Sequence, residues 1–108
     1  MKYAKVLATL MVVILLIVGF GCAATPTPDF TITSSTDNNH NHKVVITGAD
    51  VDKSPAEKTI TSDGANHTHT VTLKKADYEA IKNGQTVTVT SSTDGPVPHS
   101  HTFAIKKP

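Results

Sequence analysis

The chain has 108 residues, a formal net charge of +1 at pH 7, no Trp and a single cysteine. This length allows one ordinary domain beside a targeting segment, and one cysteine excludes both an internal disulfide framework and a thiolate metal cluster within the chain. Nucleic-acid binding calls for clustered basic residues interleaved with aromatic ones, and a near-neutral chain with few aromatic side chains argues against that class of function.

The first 21 residues have the pattern of a signal peptide. Lys2 and Lys5 precede an apolar stretch over residues 6–20, and small residues follow it. A membrane-spanning helix normally needs about 20 apolar residues, so this run is short for a permanent anchor, which is the alternative interpretation. We therefore predict that residues 1–21 are a signal peptide that is removed on export.

The segment Val18–Cys22 resembles the lipobox of bacterial lipoproteins, in which the cysteine becomes the lipidated first residue of the mature protein. The resemblance implies a lipid anchor at Cys22. Ala23 after the cysteine implies the outer membrane, facing the periplasm or the cell surface. Gly19 and Phe20 depart from the residues usual in this motif. Cleavage by an ordinary signal peptidase, which would release a soluble secreted protein, is therefore the alternative.

The mature chain divides into a short tether and one domain. Residues 22–29 contain the anchor cysteine and alternating prolines, a composition typical of a stiff, extended tether. Residues 30–108 form the predicted domain. Without residues 1–21 the chain has eight Lys against nine Asp and Glu, a net charge of −1. We expect the membrane to be contacted through the lipid anchor only.

An internal repeat organises this domain. Ile46–Thr61 matches Leu73–Thr88 at an offset of 27 residues, and His40–His42 precedes His67–His69 by the same distance. A third His-x-His pair, His99–His101, follows 32 residues later, which predicts a five-residue insertion in the third turn. Each unit has a strand, a polar turn and a second strand. Three repeated β-hairpins are therefore expected.

The strands are rich in Thr, Ile and Val, which favour β-structure. The predicted first strands of the three hairpins are Phe30–Ser34, Lys58–Ser62 and Thr86–Thr90. Turns with hairpin-type residues follow at Asp37–Asn39, Asp63–Asn66 and Asp94–Pro98. The fold class is accordingly all-β, a small barrel or sandwich in which the three hairpins cover one apolar core.

The two segments that connect consecutive hairpins differ in how strongly their sequences favour a helix. Tyr78 and Ile81 are three residues apart and Gly84 follows them, which predicts one or two helical turns near residues 76–83. The connection between the first two hairpins contains Ser54 and Pro55. There we expect a loop or a single turn.

The second strand of each hairpin has the pattern His-x-His-x-Φ-x-Φ, where Φ is an apolar residue. In the middle hairpin these positions are His67, His69, Val71 and Leu73. Alternate side chains of a strand share a face, so the imidazoles lie on the same face as the apolar residues. The sequence therefore predicts that six rings gather on the core side, at one end of the strands. The six are His40, His42, His67, His69, His99 and His101.

Six imidazoles in a desolvated space need a partner for their nitrogens, and histidine is the commonest metal ligand. The six residues are therefore the predicted metal ligands, forming either two three-histidine sites or one crowded site. The folded part has no Cys or Met, so the expected ion is copper(II) or zinc(II), with nickel(II) as a third option. Asp37, Asp63 and Asp94 are ordinary turn residues, with a second interpretation as acceptors of a ligand's ring N–H.

The leading hypothesis is an exported protein that binds copper or zinc for sequestration, delivery or structural stability. One alternative is a zinc-dependent hydratase or hydrolase with a three-histidine site, although the sequence shows no obvious general base or nucleophile. Another is a metal-free interaction module that responds to pH near the ordinary histidine pKa of about 6.5. An enzyme is the less favoured class.

Overall fold

The computed structural model describes residues 24–64 and 66–108. The predicted signal peptide and the predicted lipidation site at Cys22 lie outside the described residues. Strands predominate over helices, and they form three two-stranded antiparallel sheets. The predicted all-β class with three hairpins is confirmed. No helix in the described ranges is long and apolar enough to cross a membrane.

Each sheet is one hairpin formed by consecutive strands. The strands are β1 (Phe30–Thr33) with β2 (Lys43–Ile46), β3 (Glu57–Thr61) with β4 (Thr70–Lys74), and β5 (Val87–Thr90) with β6 (Thr102–Ile105). The first strand of each hairpin agrees with its predicted range to within one residue at either end. In the first hairpin, Phe30 lies opposite Ile46 and Ile32 opposite Val44.

Backbone hydrogen bonds join each hairpin to the next. The N–H groups of Ser35, Asp63 and Ser92 donate to the carbonyls of Thr102 (2.8 Å), Lys43 (2.9 Å) and Thr70 (2.8 Å), respectively. Strand β2 therefore lies beside β3, β4 beside β5, and β6 beside β1. The hairpins close a ring with threefold repetition. Of the two arrangements that the sequence left open, a barrel and a sandwich, the closed ring corresponds to the barrel.

The core is built from the second strand of each hairpin. We call these six residues the apolar layer: Val44, Ile46, Val71, Leu73, Phe103 and Ile105. Each is at most 1% exposed, which confirms the predicted alternation of faces. Burying a side chain of this size contributes roughly 1.5–3 kcal/mol. Tyr78 and Ile81 pack against the same core from a helix.

That helix, Lys75–Lys82, lies where the sequence predicts helical turns. The Asp77 carboxylate accepts a hydrogen bond from the Lys74 N–H at 2.9 Å, which satisfies a free donor at the helix start. Gly84 follows the helix with a φ of +81°, the left-handed conformation that glycine adopts without strain. The predicted helical turns are confirmed, and we label this helix α2.

The first connection holds another helix, α1 (Gly48–Lys53), which is longer than the loop or single turn we expected. Val51 on its inner face is buried in the core, which favours helix over loop. The helix ends where Ser54 takes a φ of +50° and its N–H donates to the Asp50 carbonyl at 2.8 Å. Pro55 therefore limits the length of the helix without preventing it.

The chain before β1 docks on α1. Thr27 donates to the Asp52 carboxylate through its N–H (3.0 Å) and through its hydroxyl (2.6 Å). The Gly48 N–H donates to Asp29 at 2.8 Å, and a Cβ on Gly48 would lie only 1.6 Å from the Thr27 carbonyl oxygen. Residues 27–29, which belong to the predicted tether, thus contact α1 ahead of the first strand.

The strand pairing corrects the offset of the repeat. Ile60 pairs with Val71, and Val89 pairs with Phe103, so Ile60 is equivalent to Val89 at an offset of 29 and not 27. The five extra residues of the third unit divide accordingly, with three in the turn and two in the connection through α2. Our error arose because the Thr-rich run over residues 86–90 matches β3 at either offset.

Candidate metal centre

Buried serines fix the backbone of three histidines, which we call the inner histidines: His42, His69 and His101. Each inner histidine donates its N–H at 2.9 Å to a serine hydroxyl from the partner strand's end, the serines being Ser34, Ser62 and Ser91. Each serine N–H in turn donates at 2.8 Å to the carbonyl of its histidine. These serines were missed in the sequence, where the signal was a Thr-Ser pair ending the first strand of every hairpin.

The turns carry the other three, the outer histidines: His40, His67 and His99. In the first hairpin Asn38 and Asn39 have φ angles of 49° and 62°, as a two-residue hairpin turn requires. Asp37 and His40 close this turn with reciprocal backbone bonds of 3.0 and 3.2 Å. The tight turn therefore places His40 directly beyond His42, on the same face of the hairpin.

A glycine in the third turn makes room for the outer rings. A Cβ on Gly95 would lie 3.2 Å from both His67 Cδ2 and His99 Cε1. Its φ of +108° is also one that side chains other than hydrogen rarely allow. Glycine here thus serves the packing of two imidazoles from different hairpins.

The six rings form one compact group, which we call the histidine cluster. Neighbouring rings meet edge to face with centroids 4.7–5.0 Å apart. The inner histidines are mutual neighbours, and so are the outer ones. Among these six described rings, the pairs that are not neighbours are His40 with His69, His42 with His99 and His67 with His101.

The ring nitrogens converge as well as the rings. One ligand atom from each of five residues lies within 4.8 Å of all the others, the five being His40, His42, His69, His99 and His101. His67 joins the same group, since its Nε2 is 3.1 Å from His69 Nε2 and 3.3 Å from His99 Nε2. The structure therefore brings together every imidazole that the sequence singled out.

The other nitrogen of every ring has an oxygen partner. Among the inner histidines, the Nδ1–H of His42 donates to the Asp63 carbonyl (2.5 Å), that of His69 to the Ser92 carbonyl (2.9 Å) and that of His101 to the Ser35 carbonyl (3.0 Å). Among the outer histidines, the Nδ1–H of His40 donates to the Asn38 carbonyl (3.1 Å), that of His67 to the Asn66 amide oxygen (2.7 Å) and that of His99 to the Val97 carbonyl (2.6 Å). Such oxygens only accept hydrogen bonds, so the proton of each neutral ring sits on Nδ1. The lone pair of Nε2 is then free for a ligand.

Two of these Nε2 lone pairs are not satisfied by any group of the described residues. His42 Nε2 and His101 Nε2 are buried and have no hydrogen-bond partner within residues 24–64 and 66–108. The short Nε2–Nε2 distances are not hydrogen bonds between neutral rings, because neither nitrogen carries a proton. Clustered lone pairs without a donor are unfavourable in a desolvated site. A metal ion fits this donor set, since neutral imidazole nitrogen is a common ligand of transition metals.

The environment favours the neutral form of two rings. Burial lowers the pKa of His67 below its ordinary value, and the neighbouring imidazoles lower it further. Burial also lowers the pKa of His101, against the opposing effects of the Ser35 carbonyl and the Asp37 carboxylate. Both rings are consequently deprotonated at neutral pH, which is the form that binds a metal.

Backbone carbonyls accept the Nδ1–H groups of the inner histidines, a role that the second interpretation gave to the three aspartate carboxylates. The Asp37 carboxylate is 3.3 Å from His101 Nδ1 and that of Asp94 is 3.9 Å from His69 Nδ1, so these two only flank the rings. The Asp63 carboxylate binds the Lys43 N–H at 2.9 Å, and its carbonyl serves His42. Asp63 is equivalent to Ser35 and Ser92, not to the other two aspartates.

The outer histidines reach the surface. They line a cleft together with Asn38, Asn39, Pro96 and Val97 from the turns. Val97 is 68% exposed, so the cleft opens to solvent on this side. Solvent therefore reaches the outer histidines through this cleft.

No protein-family model matches the chain, and comparison with curated proteins and with solved structures found no match either. The function therefore has to be inferred from the site.

Proposed function

We propose that the protein binds a transition-metal ion through the six imidazoles of its three His-x-His pairs. The observation that carries the proposal is the orientation of the rings. Each Nδ1 is engaged by an oxygen, while Nε2 atoms from different hairpins approach one another to 3.1–3.3 Å. Rings held in this way supply preformed ligands, since the hydrogen bond at the far nitrogen fixes both tautomer and orientation.

The role best supported is stabilisation of the domain. The ion would join all three hairpins at the end of the ring where the core holds imidazoles in place of aliphatic side chains. The inner histidines are at most 1% exposed, which suits a resident ion better than one exchanged rapidly with a partner. A small domain gains much of its stability from such a link, because metal affinity adds to folding free energy.

Copper(II), zinc(II) and nickel(II) are the ions that the sequence suggests, and all three accept imidazole nitrogen. The proposed setting is outside the cytoplasm. The signal peptide and the Cys22 lipid anchor, both sequence predictions, would place the domain at the outer membrane, and cleavage without lipidation would release it.

The test is elemental analysis of the protein purified without a histidine tag, after loading and removal of free metal. Wild type should retain metal in stoichiometric amount. A double variant, His67→Gln with His69→Gln, should retain far less, because it removes two converging nitrogens. Thr68→Gln is the matched control, since Thr68 lies between the two histidines and is exposed. Substoichiometric metal in all three proteins would contradict the proposal.

A further inference from the structure

The pattern of neighbours in the histidine cluster has a definite geometry. Each ring has one opposite ring that it does not touch, and six positions related in this way are the corners of an octahedron. In every opposite pair, an outer histidine faces the inner histidine of the next hairpin around the ring. The threefold repeat of the hairpins thus produces two stacked triangles of rings, rotated against each other.

The size of this octahedron matches a metal coordination shell. In a regular octahedron the edge is √2 times the distance from the centre to a corner. Three Nε2–Nε2 edges, His67–His69, His67–His99 and His40–His99, are 3.1–3.3 Å long. A regular octahedron with edges of this length has its centre about 2.2–2.3 Å from each nitrogen, against about 2.0–2.1 Å for four-coordinate zinc. Opposite nitrogens would be about 4.4–4.7 Å apart, inside the 4.8 Å that spans the five converging ligand atoms.

Two separate three-histidine sites do not fit in this space. The two nitrogen triangles of a regular octahedron with these edges lie only about 2.6 Å apart, so both face one shared space. Two divalent ions within that space would be closer than the roughly 3.5–4 Å usual for paired metal ions in proteins and would repel strongly. The alternative of two ions, which the sequence left open, is therefore disfavoured by the geometry.

We infer that the cluster holds one ion in an octahedral shell of six imidazole nitrogens, and that this shell selects nickel(II), cobalt(II) or iron(II) over zinc(II). The inference rests on the proposed metal-binding function. Zinc in structural sites is almost always four-coordinate, and copper(II) favours tetragonal geometry. A regular six-nitrogen shell gives up part of the advantage that copper has with flexible ligands.

The same shell leaves no open coordination position. Hydration or hydrolysis at zinc needs a fourth position for water beside three protein ligands. Six protein nitrogens around one ion exclude that water. The ion is consequently structural, and the inference argues against the hydratase or hydrolase considered from the sequence.

Cobalt(II) offers a direct count of the ligands. The whole protein, without a histidine tag, is titrated with Co(II), and the proton NMR spectrum is recorded in H₂O and in D₂O. Every bound imidazole carries an Nδ1–H held by an oxygen, so each ligand gives one paramagnetically shifted resonance that is lost in D₂O. The octahedral shell predicts six such resonances and one cobalt per chain by elemental analysis.

A variant and a competition sharpen the test. His40→Gln should lose one resonance, and Thr68→Gln should keep the full set. The wild-type count stands by itself should the variant fail to fold. With nickel and zinc supplied at equal free concentration, bound nickel should exceed bound zinc by on the order of tenfold. A majority of bound zinc would overturn the selectivity.

The outcomes separate the inference from the proposed function. One cobalt with six shifted N–H resonances supports both. One cobalt with three or four resonances, or two cobalt ions per chain, overturns the octahedral shell and leaves metal binding in place. Failure to retain cobalt, nickel, zinc or copper overturns both.

Discussion

The apolar layer and the histidine cluster occupy neighbouring positions on the same three strands, and both are buried. Leu73 in β4 and His69, which directly precedes β4, are four residues apart and have no exposed surface. Burial has different consequences for the stability of these two side chains. The aliphatic side chain is stabilised by packing alone, whereas the imidazole is buried with an Nε2 lone pair that other imidazoles surround. One end of the ring is thus complete as folded, and under the proposed function the other end is completed by an ion.

Removing the metal should have the largest effect, because it acts on the histidine cluster as a whole. At a free metal concentration 1,000 times the dissociation constant, binding to the folded state alone adds about 4 kcal/mol. For a domain of this size that corresponds to roughly 15–30 °C in Tm. Calorimetry of the metal-loaded protein and of the protein stripped by a chelator measures the difference. Equal Tm values would show that the two ends are complete in the same way.

Leu73→Ala acts on the apolar layer and should lower the free energy of unfolding by about 2–5 kcal/mol. The loss arises from lost burial and from the cavity left behind. It should be the same with and without metal, because Val71 separates Leu73 from His69 on the core face of the strand. Denaturant titration in both states provides the measurement.

Val45→Ala is the matched control for that change. Val45 lies on the outer face of β2 and is 54% exposed, so its truncation should change stability by less than about 0.5 kcal/mol. If Leu73→Ala were tolerated as well as Val45→Ala, the apolar layer would not be the self-sufficient end.

His101→Leu acts on the histidine cluster, and its effect on stability should depend on whether metal is bound. Without metal the effect on unfolding should stay within about 1 kcal/mol, because loss of the Nδ1 bond to Ser35 is offset by removal of an unpaired buried nitrogen. With metal bound, the free energy of unfolding of the variant should fall by about a further 1.4–2.8 kcal/mol, because its affinity for the metal falls about 10–100-fold. Paired melting curves with and without metal test this. A large loss in the metal-free protein would indicate a purely structural histidine.

The alternation of residues in β2, β4 and β6 was sufficient to predict both ends. A strand has a period of two, so parity alone assigned His69 and Leu73 to the same face. The turn residues likewise predicted the hairpins, and Gly84 predicted the end of α2. These features depend on local geometry, which short stretches of sequence determine.

The contacts between hairpins could not be predicted from the sequence. The choice of the Ser35, Asp63 and Ser92 carbonyls over the aspartate carboxylates depends on how one hairpin meets the next. So does the arrangement of six rings around one point. Threonine-rich strands also match one another at several offsets, which hid the true equivalence of Ile60 and Val89.

Acid should destabilise the metal-free protein by a smaller amount, through the histidine cluster only. Burial lowers the pKa values of His67 and His101, so below about pH 6.5 the unfolded chain binds protons that the folded chain resists. Their contribution to stability is complete above that pH and is lost as the pH falls. Melting of the stripped protein between pH 7.5 and 5.5 should therefore show a falling Tm.

The His67→Gln, His69→Gln double variant is the control, because it removes one of these two rings and a neighbour that lowers both pKa values. Its Tm should fall less over the same range. Leu73→Ala, by contrast, should keep the full pH dependence at a lower Tm, since the apolar layer has no titrating group. A pH dependence that follows the loss of Leu73 and ignores the loss of the histidines would place the acid-sensitive element outside the cluster.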